Sequence, residues 1–512
     1  MSYSFDHPAM ALHLLEKLDT ASVIEEEALR KTYYEREADL YRLDFEYCNK
    51  HRVGFVENPQ GMFESINFAT SFPSIKFDWK ADIFPRLGQE IPEPHKKKLW
   101  DFTTDVQIFF MRSLFHYKRQ IGKQFSCLTQ ASNHIPGHDL IYRKDNASQA
   151  LVAYAQKFET RPQCFNFNKF FPKTWVLTDK YQCRNFFKEF LSEKYQALKQ
   201  ERAVVYFRKI GANAHQGSGV FPMNDPEEDY IKNLYENGRL CGRVKENNLI
   251  QYNIHNLLLV NARKFGFRSF MLIASVNPLI AYYHDGYARL SLDTYDTRSN
   301  QTTNFITNVH LNMHHDEYKD WTRDQIEEYT YMSMEKFTKY MLDNKLVSDP
   351  EWLENHLRKE FMKVKIHLLR MGQSGFIKLS SVFELFGLDY IMDENLNLWF
   401  IEANTMPALH GKTRAHKDLF IELLYGTFDI VSGLLRSRAK RIISYVNSLT
   451  GEYGINVPDL EKRREEFNEI SKNYFEPEFM PKSSHGFYKI MDENLEGVAR
   501  YSGLLAEECL EF

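Results

Sequence analysis

Residues 383–407 read FELFGLDYIMDENLNLWFIEANTMP, from Phe383 to Pro407. Two apolar, aromatic-rich runs flank a short polar stretch, which predicts a β-hairpin. With the turn at Glu394–Asn397, Met392 faces Trp399 and Asp389 faces Glu402. Like charges directly opposite on one sheet face destabilise the strand pair, so the pattern demands something that compensates. Glu402 and Asn404 are two residues apart and project from one face, and Asp389 joins them in that register. Three oxygen donors converging on one point suit a hard cation such as Mg2+, which takes few protein ligands and completes its shell with water and phosphate. The alternative is that the acids splay into solvent from an exposed sheet face. Leu388, Ile391, Phe400 and Ile401 argue instead for a largely buried hairpin. If the two acids repel in the metal-free protein, Glu402→Gln holds or slightly raises its stability.

Two other stretches carry chemistry that fits such a site. In ERAVVYFRKIGANAHQGSGVFPM, an apolar strand (203–207) meets Lys209 and a loop holding Gly211, Gly217 and Gly219. Glycines let backbone N–H groups approach an anion, and an adjacent lysine can reach phosphate. No GK[ST] follows, so this is not a Walker A loop, and a plain turn is the simpler reading. In RKFGFRSFMLIAS and GYARLSLDTYD, Lys264, Arg268 and Arg289 fall on adjoining predicted strands, with Gly286 at a turn between strands. Arginine forks clamp carboxylate or phosphate; solvated sheet charges are the alternative.

Composition bounds the remaining possibilities. The 512 residues allow two or three domains. Hydrophobic content of 43% and charged content of 26% are those of a globular protein. A net charge of −4 implies no strong attraction to nucleic acid or a membrane surface. Six scattered cysteines without a CxxC pair argue against zinc clusters and a disulfide framework, and for a reducing compartment. The first residues carry acids and no long apolar core, unlike a secretory signal, and no stretch has the length of a transmembrane helix. These features predict a cytoplasmic chain. No GxSxG or HExxH is present. His314 and His315 lack a third ligand, and HKKK (95–98) and RSRAKR (436–441) read as solvated faces.

Along the chain, residues 1–60 are charged and helix-compatible, suiting a surface helix or a partner-binding one. LWDFTTDVQIFFMRSLFHY predicts a buried helix, and the region 1–130 reads as mainly helical. NFNKFFPKTWVLTDKYQCRNFFKEFLSEKYQAL predicts a loop, a short extended segment and one amphipathic helix to about Gln200. Strand-rich segments occupy 249–295. Helical patterns follow before the hairpin, and a long helix runs after it from beyond His410 to near Leu449. The last sixty or so residues read as an appended, partly ordered tail. Strands interleaved with helices give an α+β or mixed α/β fold.

Taken in order, these elements resemble the tubulin tyrosine ligase-like family. FELFGLDYIMDENLNLWFIEANTMPAL is similar to its Gly-x-Asp strand, acidic turn and Trp-x-x-Glu-x-Asn-x-x-Pro. KFGFRSFMLIASVNPLIAYYHDGYARLSLDTYD resembles its Lys-Phe-Asp-x-Arg strand and Gly-x-x-Arg segment. NKFFPKTWVL resembles its Asn-x-x-Pro entry, and YFRKIGANAHQGSGV its phosphate-covering lysine and Gly-rich loop. The resemblance spans about 165–435. It implies an ATP-grasp-like core with a module at 131–200, a central subdomain at 201–260 and a C-terminal subdomain at 261–445, leaving 446–512 as the tail. It also implies an ATP-dependent carboxylate–amine ligase that works through an acyl phosphate. The amino acid added would be tyrosine, glutamate or glycine, and the acceptor tubulin or another acidic protein tail. The location implied is the cytoplasm and cytoskeleton, including cilia. Carried over by position, Asp389, Glu402 and Asn404 would hold Mg2+. Lys209, Lys264 and the loop residues Gln216, Gly217 and Gly219 would meet the ATP phosphates, with Gln251 near the adenine. Arg268 and Arg289 would stabilise the γ-phosphate or acyl phosphate. Two departures stand out. Gly266 replaces the family's aspartate, and His310-Leu311-Asn312-Met313 replaces its His-Leu-Thr-Asn, where either Asn312 stands in for the asparagine through a one-residue deletion or the polar pair is lost. A catalytically inactive, microtubule-binding scaffold is the competing expectation.

Overall fold

Alternating apolar patterns along the chain sort its strands onto two sheets. The computed structural model describes residues 131–210, 219–242, 248–299, 320–405, 414–449 and 468–510, three short strands before residue 112 and a few single positions. Strands β1 (Val53–Val56), β2 (Ser74–Phe77), β3 (Ile108–Met111) and β4 (Ala131–Asn133) come first. Helices α1 (Asp139–Tyr142) and α2 (Lys144–Gln156) follow. Next come β5 (Thr174–Val176), α3 (Lys180–Phe190), α4 (Glu193–Glu201), β6 (Tyr206–Ile210), β7 (Val220–Pro222), α5 (Asp225–Glu236) and β8 (Asn248–Tyr252). Strands β5, β8, β6 and β7 pair in that order as a small antiparallel sheet. Trp175, Phe186, Phe190, Tyr206 and Ile250 pack between it and its helices.

The large sheet holds the longest strands, where β-branched and aromatic residues are densest. Besides β1–β4, its members are β9 (Leu259–Val260), β10 (Arg263–Val276), β11 (Leu279–Thr294), β12 (Tyr331–Ser333), β13 (Val382–Met392), β14 (Leu398–Thr405) and β15 (Phe487–Asp492). Between them run α6 (Arg323–Thr330), α7 (Met334–Asp343), α8 (Arg358–Gly372) and α9 (Arg414–Leu449). The strand order is β12-β11-β10-β13-β4-β3-β1-β2, with β14 on β13, β15 on β11 and β9 on β10. One face, with Phe267, Met271, Leu388 and Tyr390, packs on Phe361 of α8. The other, with Phe270, Leu272 and Leu385, packs on Phe420, Leu424 and Phe428 of α9. The fold is mixed α+β, as the sequence predicts, with each sheet face covered by a helix.

Several expectations change. The helix expected around 100–117 contains strand β3 where it is described, because a short apolar run such as Ile108–Met111 carries no periodicity that separates helix from strand. In the stretch 1–60 read as helical, Val53–Val56 is strand β1, and the rest of that stretch lies outside the described residues. The single helix to Gln200 is two, because Ser192 caps a new start by accepting from Tyr195 N. The small sheet begins at β5, since Thr174 pairs with Gln251, so the boundary expected at 200/201 falls inside one unit.

Gly286 lies inside continuous β11, at φ 72° on a register shift, and not at a turn. A Cβ there would sit 1.8 Å from the Arg268 carbonyl oxygen.

The tail is not appended: β15 pairs with β11, and Arg441 binds the carbonyls of Ile470, Lys472 and Tyr474. The run 436–441 is therefore largely a buried clamp, with Arg438 only 3% exposed, and not a solvated face. Cysteines that the sequence reads as unpaired form Cys164–Cys509 and Cys183–Cys241 disulfides, whose partners stand 345 and 58 residues apart, separations no spacing motif encodes. The argument from cysteine usage to a reducing compartment falls with them. Among the described residues no helix is long and apolar enough to cross a membrane.

Candidate functional site

The hairpin's register decides where its acids point. Its turn is Asp393–Asn397, one residue earlier than expected, closed by Asp393 N donating to Asn397 O. Asp393 itself accepts from Asn395 N, Asn397 N and Trp399 Nε1. Met392 therefore faces Leu398, not Trp399, and Tyr390 faces Phe400. Continued unchanged, that register would set Ile401 opposite Asp389. A bulge between Asp389 and Tyr390 shifts the pairing and places Glu402 opposite Asp389. Asn404 Nδ2 lies 3.3 Å from Asp389 Oδ2 and 3.4 Å from Glu402 Oε1. The three side chains of the sequence-derived triad share one spot.

The charge conflict is met by the chain's own cations. Arg268, opposite Asp389 in register, donates Nε to Oδ1 at 2.5 Å and Nη2 to Oδ2 at 2.7 Å. This is the bidentate fork that arginine makes with carboxylate. Lys144 Nζ, at the start of α2, sits 3.4 Å from Glu402 Oε2. Burial pushes the Glu402 carboxyl up, yet Lys144, Lys209 and Arg268 together hold it below the ordinary value. The folded protein thus favours the ionised form of Glu402. Attraction from Lys144, Lys209 and Arg268 argues against the held or slightly raised stability that repulsion between the acids would give Glu402→Gln.

Glu402 also lines a cleft between the two sheets, with Lys144, Thr174, Lys209 and Gln251. Strands β6 and β8 present Lys209 and Gln251 from one face, since Phe207 pairs with Gln251 and Lys209 with Leu249. Gln251 Nε2 donates to Thr174 Oγ1 at 3.0 Å. Burial pushes the Lys209 ammonium down to about 8, with Glu402 opposing that and Lys144 adding to it. Burial also pushes Lys264 down to about 8, and repulsion from Lys209 contributes. Lys264, Gly266 and Arg268 alternate on one face of β10, and Arg289 stands opposite Gly266 on β11.

Gly219 closes the glycine loop by accepting from Ile210 N at 2.9 Å. Gln216, Gly217 and Asn312 lie outside the described residues, as do Met313, His314, His315 and the basic run 95–98. Sequence reasoning missed Lys144: a lone lysine opening an amphipathic helix looks like any solvated charge, and its contact with Glu402 spans the fold.

Oxygen donors from two carboxylates and an amide match a hard divalent cation. The Asn404 amide, turned over, offers its oxygen to the same point. The Lys144 ammonium already places a positive charge beside Glu402.

The family described as "Tubulin-tyrosine ligase family" matches residues 123–440. The chain belongs to this family. Its match runs from just before β4 into α9 and contains the hairpin, the cleft lysines and both arginines. Among curated relatives, "Inactive polyglycylase TTLL10" of Homo sapiens is 27% identical over 322 residues, 59% of this chain and 45% of that protein. "Protein polyglycylase TTLL10" of Macaca fascicularis is 28% identical over 284 residues, 53% of this chain and 43% of that protein. "Probable alpha-tubulin polyglutamylase Ttll1" of Tetrahymena thermophila is 26% identical over 324 residues, 59% of this chain and 72% of that protein. The chain spans less than half the length of the two mammalian relatives.

Proposed function

We propose that this member of the tubulin-tyrosine ligase family is an ATP- and Mg2+-dependent carboxylate–amine ligase. On this reading it joins an amino acid (glutamate, glycine or tyrosine) to tubulin or another acidic protein tail, in the cytoplasm and at the cytoskeleton. The supporting observation is the convergence of Asp389, Glu402 and Asn404 beside a cleft that Lys209 and Gln251 also line. Mg2+ held by Asp389, Glu402 and Asn404 would supply charge neutralisation for a transferring phosphoryl group. The chain's own side chains supply the rest. Lys209 brings a buried positive charge to the cleft wall, and the buried Lys264 lies close enough to repel it, so an anion placed between them is favoured. Gln251 offers an amide from the same wall to a base edge. Arg268 fixes Asp389, and Arg289 presents a guanidinium on the same sheet face. Activation and transfer then depend on positioning and electrostatics more than on a nucleophilic side chain.

A second reading, a non-catalytic ATP-grasp-like scaffold on microtubules, is favoured by Gly266. At that position the chain offers no carboxylate beside Lys264. The human relative's name, an inactive polyglycylase, points the same way. Intact-mass spectrometry of tubulin incubated with the protein, ATP, Mg2+ and a mixture of amino acids separates the two. A ligase leaves increments of a glycyl, glutamyl or tyrosyl residue. Tubulin of unchanged mass that still co-sediments with the protein would favour the scaffold.

A further inference from the structure

The two arginines of the site are engaged differently. Arg268 gives Nε and Nη2 to Asp389, so its fork is committed to a carboxylate and much of its charge is neutralised. Arg289 Nη2 instead donates to a neutral phenol, the hydroxyl of Tyr287, at 2.7 Å. Tyr287 is two residues from Arg289 on β11 and stands opposite Arg268 on β10, so all three share one face.

The Tyr287 ring cannot swing away easily. It is 3% exposed, with ring centroids of His416 at 5.0 Å, Tyr331 at 5.4 Å and Phe420 at 6.4 Å. Behind it, His416 Nδ1 lies 3.4 Å from Glu327 Oε2, which braces the start of α9 against α6. Arg289 itself is half-buried. A packed aromatic post therefore ends in a hydroxyl that holds one corner of the guanidinium. A neutral acceptor leaves the cation's charge intact and its other N–H groups available.

We propose that Tyr287 is a positioning residue that aims Arg289 at the anionic group transferred in the cleft, while Arg268 serves to hold Asp389. This rests on the ligase reading above and assigns the two arginines separate tasks within it. The hydroxyl is the part of Tyr287 that hydrogen-bonds the Arg289 guanidinium. The Tyr287 ring also stands 5.5 Å from Arg289 Cζ, so only a substitution that keeps the ring isolates the hydroxyl.

The test is a double-mutant cycle on the full chain with Tyr287→Phe, Arg289→Ala and the pair. Melting temperature, Mg-ATP affinity by calorimetry and steady-state ligation are read for each. Tyr287→Phe keeps the ring, so its melting temperature should stay within about two degrees of wild type and its ATP affinity within about twofold. Its kcat should fall roughly tenfold, as expected for losing a hydrogen bond to a charged group that positions a reacting anion. The double variant should be no slower than Arg289→Ala alone. Wild-type kcat in Tyr287→Phe, or independent additive losses, overturns the proposal and leaves the ligase reading standing. A wild type with neither Mg-ATP binding nor ligation overturns the ligase reading, and the proposal with it.

Discussion

At the scale of single residues, the site is a balance of buried charges, and its cations and anions respond to different pH ranges. Glu402 is held below the ordinary carboxyl value by Lys144, Lys209 and Arg268 against the effect of burial. Its folded value lies below its unfolded one, so it contributes stability at neutral pH that is lost as pH falls through the folded value. Glu402→Gln should lower the melting stability of the metal-free protein by about 1 kcal/mol at pH 7. The difference should vanish in acid; a variant more stable than wild type at pH 7 would restore the repulsion argument. Lys209 and Lys264 behave oppositely, each pushed to about 8 by burial. Between about pH 8 and the ordinary lysine value near 10.4 the unfolded chain holds more protons, so stability rises with pH in that window. A bound polyphosphate favours the charged lysines. Mg-ATP binding should therefore take up protons near pH 8 and weaken by up to about tenfold per lysine for each pH unit above it. Calorimetry at pH 7 and 9, in buffers of differing protonation enthalpy, checks this. Constant affinity with no proton exchange would remove the lysines from the nucleotide site.

At the scale of elements, what was legible in the sequence depended on whether the signal was local. The hairpin of β13 and β14 was legible because apolar alternation and a polar turn sit within about twenty residues. The facing of Asp389 and Glu402 was read correctly from a turn misplaced by one residue, and the bulge at Ile401 made up the difference. No local rule announces that bulge, since Ile401 is itself a good strand residue. Gly286 shows the opposite failure. Its glycine signal is real, but it reports a left-handed residue within a strand and a close backbone approach to Arg268, not a reversal of the chain. Lys144 and Tyr287 gave no signal at all. Their roles exist only through partners brought together by the fold: Glu402 lies far along the chain from Lys144, and the Tyr287 box draws on β12 and α9.

At the scale of the whole molecule, the C-terminal segment is the strongest case of structure that composition concealed. Its charged, proline-containing sequence resembles a linker, yet it crosses α9 and re-enters the large sheet. Gly433 of α9 allows the crossing, since a Cβ there would lie 2.4 Å from the Phe479 carbonyl oxygen. Beyond it, Asn473 Nδ2 donates to Ser275 Oγ at 2.9 Å, and β15 pairs with residues 280–284 of β11. Phe487, Ile490, Met491, Tyr501 and Leu505 are each at most 7% exposed. Arg370 Nη1 donates to Cys509 O at 2.9 Å, and the Cys164–Cys509 bond ties the segment to the loop before β5. β11 also carries Tyr287 and Arg289, so the segment borders the strand that bears the site. Burial of five large apolar side chains is worth on the order of 10 kcal/mol gross, against a whole-protein stability of about 5–15 kcal/mol. Ending the chain after Ser484 should therefore prevent stable folding and not merely remove a tail. The expected outcome is insoluble or protease-sensitive protein, read by limited proteolysis and thermal melting beside the full chain. A shortened chain that resists protease and melts within a few degrees of the full one would show that β15 only decorates a core complete without it.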